Sequence, residues 1–396
     1  MLPPPQKFSG LRKDSNVKIN SSLLSLKRQL GALRKKLLCT SSPKYAFIGD
    51  YSVNTDELKW LPVEPEYNES HYNAIQHGGR PVNFFAKSQS SIPELGLAIF
   101  KNATLVSEHG WVLSESKTFY PEFSWFGSNI DELCKFMHFP RYIKTTNFIK
   151  GTTLTLASDY SCKVYGHFAI DSLARLSLFY KAGFNFSDID NIFCPKPLKG
   201  HGEILFKELG IPEDKCIWAN GNRALQFETL LCPSFPGLRR NYTPLVPSFF
   251  RKALPLDHTK TKRRRLYVTR KGYARNFVNE EKIEDFLHSR GFETYNPTEQ
   301  SHSHNDFAMA EAVVGISGSA LTGLAFCKPD TKVLEILSED HTYPYYFTLA
   351  NAGELKFNYL VGTPEVQMST TYGPSKSDIR VDIEDFKKAI DAMLSN

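Results

Sequence analysis

The sequence predicts an α/β protein built from two halves, the second of which carries a parallel and doubly wound sheet. From residue 264 onward, short β-type runs alternate with short amphipathic helices, which is typical of βαβ units. Residues 151–250 show a second and less regular α/β pattern. A length of 396 residues also suits two domains.

The composition excludes several classes of protein. Hydrophobic residues make up 41% and charged residues 23%, as in an ordinary globular chain rather than a disordered or coiled-coil one. The mean hydropathy is −0.33, and no apolar run approaches the roughly 18 residues of a membrane span. The N-terminus lacks the apolar region of a signal peptide. The seven cysteines form no CxxC pair, so we expect reduced thiols and a cytoplasmic protein.

Residues 1–43 are predicted to be a tail followed by a basic amphipathic helix. Residues 1–21 are rich in Pro, Ser, Lys and Asn. Within residues 22–38 one helical face carries Leu23, Leu26, Leu30, Leu33 and Leu37, and most lysines and arginines lie elsewhere. Such a helix can contact an anionic membrane surface, pack on its own domain, or join two copies of the chain. A cytoplasmic protein with a peripheral membrane contact is therefore one expectation.

The rest of the chain divides into two predicted domains. The N-terminal domain covers residues 44–250 and the C-terminal domain covers residues 251–396. The last predicted helix, 382–394, could pack back on the N-terminal domain. Residues 234–262 are loop-rich and lead into the basic run KTKRRR, which makes them the predicted linker. This run leaves nucleic-acid binding as a weak alternative, and we expect no nucleic-acid partner because no aromatic stacking platform accompanies it.

The individual elements follow from hydrophobic periodicity. In the first half, strand TTLTLAS leads to a long apolar helix near 165–182, then to strand IDNIFC, helix 201–209 and strand KCIWA. In the second half, strands RLYVT, FETYN, AVVGI, KVLEIL and FNYLV alternate with helices, and helix DIEDFKKAIDAML closes the chain. Ligands of parallel sheets bind beyond the carboxyl ends of the strands, so the loops there are the places to expect a site.

The long helix of the first half carries a polar stripe. His167, Asp171 and Arg175 are spaced four residues apart, which places them on one face of a helix that is otherwise apolar. A buried charged stripe must be paired internally or must line a cleft. A His one turn from an Asp can serve as a general acid/base pair. The alternative is a structural ladder in which Asp171 bridges His167 and Arg175.

The second half offers a candidate anion site in the segment AVVGISGSALTGLAF. Gly315, Ser317, Gly318 and Ser319 separate a β-type run from a helix, where free backbone N–H groups attract anions. The alternative is a purely structural tight turn with a serine N-cap. The segment is neither a Walker loop nor a G-x-G-x-x-G fingerprint.

Charged residues follow or end the neighbouring strands. Arg270 and Lys271 come directly after the strand RLYVT, and Arg275 comes soon after them, where cations could neutralise a diphosphate. Glu335 ends the strand KVLEI, where a carboxylate could accept bonds from ribose hydroxyls. The alternatives are a solvated basic turn and a salt-bridged surface Glu. Together with the anion loop, these residues predict a nucleotide diphosphate site in one half and an acid/base stripe in the other, as in a transferase.

Three segments in order resemble glycosyltransferase family 61, whose bacterial members are often described as capsular polysaccharide biosynthesis proteins. They are YGHFAIDSLARL, RLYVTRKGYARNFVNEEKIEDFLHSRGFE and AMAEAVVGISGSALTGLAFCKPDTKVLEI. The resemblance spans roughly residues 155–395, and residues 1–150 match nothing comparable. It implies a GT-B-like architecture, with two Rossmann-like domains facing across a cleft.

The resemblance also implies a reaction and a set of site residues. The reaction is inverting transfer of a hexosyl or pentosyl group from a nucleotide sugar, usually a UDP-sugar, to a glycan or lipid-linked glycan, without a metal or other cofactor. Asp171 is then the expected base with His167 as its partner, and Tyr165 and Arg175 lie on the acceptor side. The expected donor-binding residues are Arg270, Lys271, Arg275, Ser317, Gly318, Ser319, Ala320, Leu321, Thr322 and Glu335.

The chain departs from the family pattern at the glycine loop. Ser317 stands where a His is usual, Ser319 and Ala320 replace Ala and Gly, and Ala174 replaces a common Pro. These departures affect the expected donor more than the expected activity, because Asp171 and Gly318 are retained along with the other motif residues. They also motivate an alternative, a catalytically inactive relative that binds a nucleotide sugar or a glycan.

Overall fold

The computed structural model describes residues 55–68, 73–84, 91–127, 145, 147–221, 223–256, 264–300, 302–366 and 377–395. The tail and basic helix predicted in residues 1–43 lie outside these ranges, as do the first four residues of the KTKRRR run. Among the helices in these ranges, none combines the length and apolar character that crossing a membrane requires.

The strands are short, and most of them belong to one of two large sheets. In chain order they are β1 (Leu58–Glu64), β2 (Tyr67–Asn68), β3 (Ile75–Gln76), β4 (Ser91–Ile92), β5 (Leu95–Lys101), β6 (Thr104–Val106), β7 (Trp111–Leu113), β8 (Phe119–Tyr120), β9 (Asn147–Thr155), β10 (Asn191–Pro195), β11 (Cys216–Ala219), β12 (Ala224–Pro233), β13 (Gly237–Leu238), β14 (Asn241–Tyr242), β15 (Arg264–Val268), β16 (Glu293–Tyr295), β17 (Ala310–Ile316), β18 (Lys332–Ser338), β19 (Lys356–Pro364) and β20 (Ile379–Arg380).

The helices lie between these strands. They are α1 (Pro121–Ser124), α2 (the continuous segments His167–Ser172, Leu173–Arg175 and Leu176–Lys181), α3 (His201–Glu208), α4 (Leu245–Ala253), α5 (Glu280–Ser289), α6 (Ser303–Ala308), the 3₁₀ helix α7 (Ser319–Phe326), α8 (Tyr345–Ala352) and α9 (Ile383–Ser395). Short 3₁₀ turns occur at Phe186–Asp188 and Glu213–Lys215.

The first sheet is mixed. Its main order is β11-β10-β9-β12-β6-β7-β8, with β5 pairing both β12 and β1. Strand β9 is parallel to β10 and β12, whereas β5 and β6 run antiparallel to β12. The parallel part therefore corresponds to the α/β pattern predicted after residue 150. Helix α2 packs its apolar side chains, including Phe168, Leu173 and Phe179, into the core beside this sheet.

The second sheet contains the parallel strands predicted after residue 264. Its order is β16-β15-β17-β18-β19, with β20 antiparallel at the end of β19 and β3 alongside β19. Helices α5 and α9 contribute to the core on one face, and α6, α7 and α8 contribute to the core on the other. The sheet is therefore covered on both faces, and the prediction of a mixed α/β chain with parallel sheets is confirmed.

Two predicted boundaries differ from the structure. Residues 234–256, expected as linker, form the hairpin β13–β14 and helix α4, and α4 crosses the predicted division between residues 250 and 251. Phe250 of α4 packs against Phe326 of the second half, with ring centroids 5.1 Å apart. These elements are short and rich in proline, so their sequence shows no helical or strand periodicity and was predicted to be a loop. Strand β3, from the first half of the chain, likewise joins the second sheet.

The last helix, α9, packs on its own sheet rather than back on the N-terminal domain. It contacts α5, β18 and β19, and Arg290 forms an ion pair of 2.7 Å with Asp391. Phe386 and Ile390 are fully buried in the core shared with α5. The reason is local, because α9 follows the edge strand β20 directly and its apolar face meets the nearest uncovered face of that sheet.

Candidate active site

Helix α2 begins directly against the glycine loop of the second half. A Cβ atom added at Gly166 would come within 2.7 Å of Thr322 Oγ1 and 3.7 Å of Ser319. Glycine therefore allows α2 and α7 to approach at this point. The first segment of α2, His167–Ser172, is a π-helical stretch, a rare geometry that often occurs at functional sites. The predicted stripe and the predicted anion loop thus lie side by side.

The carboxylate of Asp171 is fully buried and accepts three hydrogen bonds. It accepts hydrogen bonds from His167 Nδ1 at 2.7 Å, Arg240 Nε at 3.0 Å and Tyr242 Oη at 2.7 Å. Burial alone would raise the pKa of Asp171, but the charges of His167 and Arg240 and the hydrogen bonds outweigh it and hold the pKa below its ordinary value. A carboxylate that is enclosed and fully bonded in this way is a poor acceptor for a substrate proton.

His167 is the member of the pair that reaches the surface. Its side chain is 22% exposed while that of Asp171 is 0% exposed, and its ring lies 5.8 Å from the ring of Tyr160. With Nδ1 directed at Asp171, Nε2 is the nitrogen left for a substrate. The geometry therefore reverses the roles predicted from sequence, because the expected base is sealed inside and its expected partner faces outward.

Arg240 and Tyr242 were not predicted as site residues. They belong to the β13–β14 hairpin, in which Arg239 and Arg240 both have positive φ, 52° and 58°. Two consecutive non-glycine residues in the left-handed region are strained, and such strain concentrates at functional sites. Arg240 also forms an ion pair with the buried Asp159. In the sequence, the only indication of a functional role for this hairpin was the pair Arg239–Arg240 within the predicted linker.

Arg175 is a structural residue and does not face the acceptor. It is fully buried, and it donates to the carbonyl oxygens of Ala157 at 2.5 Å and Pro233 at 3.0 Å, where β9 and β12 end. Its guanidinium also lies 4.8 Å from the centre of the Phe235 ring. The predicted ladder through Asp171 is therefore wrong, because Arg240 rather than Arg175 pairs with that carboxylate. The backbone carbonyls that hold Arg175 could not be recognised from a helical period.

Tyr165 lies at the same end of α2 but faces another neighbour. Its ring centroid is 5.8 Å from that of His201 on α3, and burial raises the pKa of its hydroxyl to about 12. His201 in turn bonds to the carbonyl oxygen of Pro297 in the second half. Tyr165 therefore contacts the interface between the halves rather than the Asp171 network.

The donor-side residues meet where the strand order of the second sheet reverses. Strands β15 and β17 are neighbours, and their following helices α5 and α7 lie on opposite faces. This is the switch point at which open parallel sheets form their ligand crevice. Arg270 follows β15 and Gly318 follows β17, and a Cβ added at Gly318 would lie 1.8 Å from Arg270 Nη1. The Arg270 guanidinium therefore packs directly on the backbone at Gly318, and a larger residue there would displace it.

Arg270 and Arg275 lie together without a carboxylate partner within ion-pair distance among the described residues. Arg270 donates to the carbonyl oxygen of Ala274 at 3.0 and 2.9 Å, while Nη1 of Arg275 is buried and has no hydrogen-bond partner. Burial and then the charge of Arg275 lower the pKa of Arg270 to about 10, and burial lowers that of Arg275. Two adjacent cations of this kind fit a multiply charged anion.

Glu335 lies on the same face of β18 as the core shared by the two halves. It is fully buried, and neither carboxyl oxygen forms a well-aligned hydrogen bond. Burial raises the pKa of Glu335 to about 8, against smaller opposing effects of Ser317 and Arg275. The carboxyl is therefore largely protonated at neutral pH and can donate a hydrogen bond as well as accept one.

Aromatic and imidazole side chains after β18 lie beside Glu335 and the two arginines, and the sequence analysis did not predict them as site residues. Burial and then the nearby Arg275 lower the pKa of His341 to about 3, so it is neutral. Tyr343 stacks on Tyr345 at 5.2 Å, and the Arg240 guanidinium lies 5.8 Å from the Tyr345 ring. Tyr346 interacts electrostatically with Glu335 and both donor-side arginines. The run Tyr343–Tyr346 after a strand end was the available signal.

A cavity of about 300 Å³ opens beside this loop. Glu339 and Thr342 line it from the loop, Arg80 and Val82 line it from the segment after β3, and Val361 lines it from β19. It lies beyond the carboxyl ends of β18 and β19, so the crevice continues along the edge of the sheet.

Three of the predicted donor residues are placed differently from the expectation. Lys271 forms an exposed ion pair of 3.1 Å with Glu284 on α5. Leu321 is buried in the core, and a Cβ at Gly315 would come within 3.2 Å of it. Thr322 is buried against Gly166. In each case the nearest partner comes from another element, which a linear motif does not reveal.

The remaining loop residues keep the predicted position. Ser317 and Gly318 are buried between β17 and Arg270, and Ser319 and Ala320 are at least partly exposed at the start of α7. The structure therefore brings together the loop, two arginines, a buried glutamate and a His–Asp pair.

Comparison with known proteins agrees with this arrangement. The family described as Glycosyltransferase 61 matches residues 165–334, which include α2, the arginines after β15 and the loop after β17. The protein is therefore a glycosyltransferase. Over these residues the chain is similar to glycosyltransferase family 61, and the resemblance seen in the sequence motifs is confirmed. A comparison with curated proteins gave no match.

Proposed function

We propose that this glycosyltransferase moves a sugar from a nucleotide diphosphate donor, a UDP-sugar, to a hydroxyl of a glycan acceptor with inversion and without a metal cofactor. In this proposal the two halves act as the two sides of a GT-B-like cleft. The second half binds the donor, and the start of α2 faces the acceptor.

The observation that carries the proposal is the pair of arginines beside the glycine loop. Arg270 and Arg275 have no carboxylate within ion-pair distance in the described residues, and Arg270 lies against Gly318. A diphosphate supplies the missing negative charge and can also accept from the backbone N–H groups at the start of α7. Two fixed cations can take the place of a divalent ion in neutralising the leaving group.

Glu335 provides a second donor contact in the proposal. Neither oxygen of its buried carboxyl forms a well-aligned hydrogen bond, and Ser317 and Arg275 lie close enough to act on its charge. A ribose hydroxyl or an amide edge of a base would satisfy it, and the neutral carboxylic acid can meet either a donor or an acceptor.

The proposed chemistry begins with a proton transfer to His167. The acceptor hydroxyl attacks the anomeric carbon from the face opposite the diphosphate, and Nε2 of His167 takes its proton. Asp171 bonds to Nδ1, which orients the ring and stabilises the imidazolium that forms. A bond forms between the acceptor oxygen and the anomeric carbon, the bond to the diphosphate oxygen breaks with its electron pair, and Arg270 and Arg275 stabilise the leaving charge.

Arg240 and Tyr242 act through Asp171. Their hydrogen bonds hold the carboxylate in one orientation and keep its pKa low, so the proton stays on His167 rather than passing to Asp171. They are positioning residues in this mechanism. The buried Asp159 forms a second ion pair with the Arg240 guanidinium.

The biological setting is part of the same proposal. A cytoplasmic enzyme that builds cell-surface or capsular polysaccharide would meet lipid-linked acceptors at a membrane, and the basic helix of residues 22–38 could provide a peripheral contact. Flotation with vesicles containing anionic lipid tests this contact. We expect binding by the full chain and its loss when residues 1–43 are removed, and equal flotation of both would contradict it.

Calorimetry and a product assay test the core of the proposal. We expect UDP to bind more tightly than UMP or uridine, because the arginines and the loop contact the second phosphate. Equal affinity for UDP and uridine would contradict the diphosphate site. The inactive-relative alternative, favoured by Ser317 in the loop, predicts UDP binding without any release of UDP from a panel of UDP-sugars. Release that depends on His167 would instead support catalysis.

A further inference from the structure

A second cluster of polar side chains lies between the two halves and takes no part in the proposed reaction. Glu208 is at the last turn of α3 in the first half. His302 and His304 stand at the start of α6 in the second half, two residues apart in sequence. The group therefore joins segments about a hundred residues apart along the chain.

The three side chains converge on one point. Nε2 of His304 lies 2.7 Å from Oε2 of Glu208, and Nδ1 of His302 lies 3.9 Å from Oε1 of the same carboxylate. One atom from each of the three residues lies within 4.8 Å of the other two. Ligand atoms at about 2.0–2.2 Å from a tetrahedral Zn²⁺ are themselves about 3.3–3.6 Å apart, so small rotations would bring all three into the coordination sphere.

Unsatisfied polar atoms mark the same place. The side chain of His304 is fully buried, yet its Nδ1 has no hydrogen-bond partner. Oε2 of Glu208 also lacks a well-aligned hydrogen bond, although it lies only 2.7 Å from the imidazole nitrogen. The side-chain oxygen of the flanking Asn305 is buried without a partner as well. A concentration of such atoms indicates a missing water or ion.

We propose that Glu208, His302 and His304 bind one divalent transition-metal ion of the Zn²⁺ type. Two imidazoles and one carboxylate favour Zn²⁺ and its neighbours in the first transition series over Mg²⁺ or Ca²⁺, which prefer oxygen ligands alone. The half-exposed edge at His302 leaves a fourth position for water. The rival arrangement is a hydrogen-bonded Glu208–His304 pair that binds no metal.

The ion would have a structural role, separate from the proposed transfer. It would connect α3 of the first half to α6 of the second. Helix α6 packs on α7, and the ring of His304 lies 6.0 Å from that of Phe326 at the end of α7. The metal would therefore stabilise, through α6, the position of helix α7, which follows the Gly318 loop. Because binding to the folded state alone raises stability, added Zn²⁺ should raise the melting temperature.

Zn²⁺ titration of the full-length, tag-free protein after EDTA treatment and dialysis tests the proposal. We expect one equivalent by calorimetry, and at least tenfold weaker binding in His302→Gln and in Glu208→Gln. The matched control is His288→Gln, an exposed histidine on α5, which should bind as the wild type does. His304 is left intact because its full burial would make misfolding a rival explanation.

Cobalt substitution identifies the ligand type, since free cysteines are also present. The Co²⁺ spectrum should show ligand-field bands without a thiolate charge-transfer band, and the bands should weaken in His302→Gln but not in His288→Gln. A thiolate band, unaltered affinity in both His302→Gln and Glu208→Gln, or no stoichiometric Zn²⁺ binding by the wild type would overturn the assignment.

Discussion

The buried charges of α2 and those around the Gly318 loop have opposite surroundings. Asp171 accepts from three donors, and Arg175 donates to carbonyl oxygens at the ends of two strands. On the facing side of the crevice, which we call the loop wall, Glu335 forms no well-aligned hydrogen bond, and Arg270 and Arg275 have no carboxylate within ion-pair distance in the described chain. Both walls contain buried ionisable groups, but only the first satisfies them from within the protein.

The difference separates positioning from binding. A fully bonded network is rigid and is costly to break, so it can hold His167 in one orientation. A wall of unsatisfied groups is unfavourable for the free protein and becomes favourable when a ligand of complementary charge arrives. The network around Asp171 and Arg175, the α2 wall, therefore stabilises the folded protein. The unsatisfied groups of the loop wall destabilise the ligand-free protein and favour ligand binding.

The largest expected effect is on the transfer rate of His167→Ala. Removing a general base typically costs about 10²–10⁴-fold, and we expect a loss of about 10³-fold in kcat. Because the side chain lies outside the donor loop, the affinity for UDP should stay close to wild type, whereas loss of the hydrogen bond to the buried Asp171 should lower the melting temperature. Steady-state kinetics with calorimetry measures both. Transfer above a tenth of the wild-type rate would show that His167 is not the base.

Substituting the two buried carboxyls by their amides compares the walls directly. Asp171→Asn leaves Arg240 beside a neutral group and should lower the free energy of unfolding by roughly 3–5 kcal/mol, together with the transfer rate. Glu335→Gln should cost less than about 1 kcal/mol at pH 7, since no ion pair is broken. Urea unfolding measures both changes. Equal losses in the two variants would remove the distinction between the walls.

Arg270→Gln should weaken the loop wall as a binding site without weakening the fold. We expect UDP to bind about 10- to 100-fold more weakly, since a charged contact to phosphate is lost. The ligand-free protein should be as stable as wild type or more so, because burial and Arg275 both disfavour the charge. The matched control is Lys271→Gln, for which we expect less than a twofold change in affinity because Lys271 is exposed and pairs with Glu284. A similar loss in both variants would contradict the different placement of the two cations.

The last expected effect is a pH dependence that arises from Glu335. Its pKa is about 8 in the folded chain against an ordinary 4.5, so the folded state holds this proton longer than the unfolded state. The resulting stabilisation is complete below about pH 4.5 and is lost as the pH rises to about 8, at no more than roughly 1.4 kcal/mol per pH unit. Glu335→Gln cannot titrate, so its stability relative to wild type should increase between pH 5 and pH 8. Parallel urea-unfolding profiles of the two proteins would contradict this.

Local sequence patterns were enough to find one part of the site. The i, i+4 spacing of His167 and Asp171 places both on one helical face whatever surrounds the helix, and a helix–strand alternation locates Arg270 and Gly318 at strand ends. The partners of these residues were not accessible in the same way. Arg240 reaches Asp171 from 69 residues away, on a hairpin too short to show any periodicity. His341, in the loop before α8, and Tyr346, on α8, likewise interact with Arg275 from more than 60 residues away in the sequence.

The sequence by itself determined the parallel sheet, the position of the loops at its edge and the resemblance to glycosyltransferase family 61, because each depends on patterns within a few neighbouring residues. Tertiary structure alone decided which charges are neutralised and which are left for a ligand. Pairing and burial depend on distances between segments far apart in the chain. For that reason Asp171 became an enclosed support, His167 became the exposed partner, and Arg175 became part of the framework.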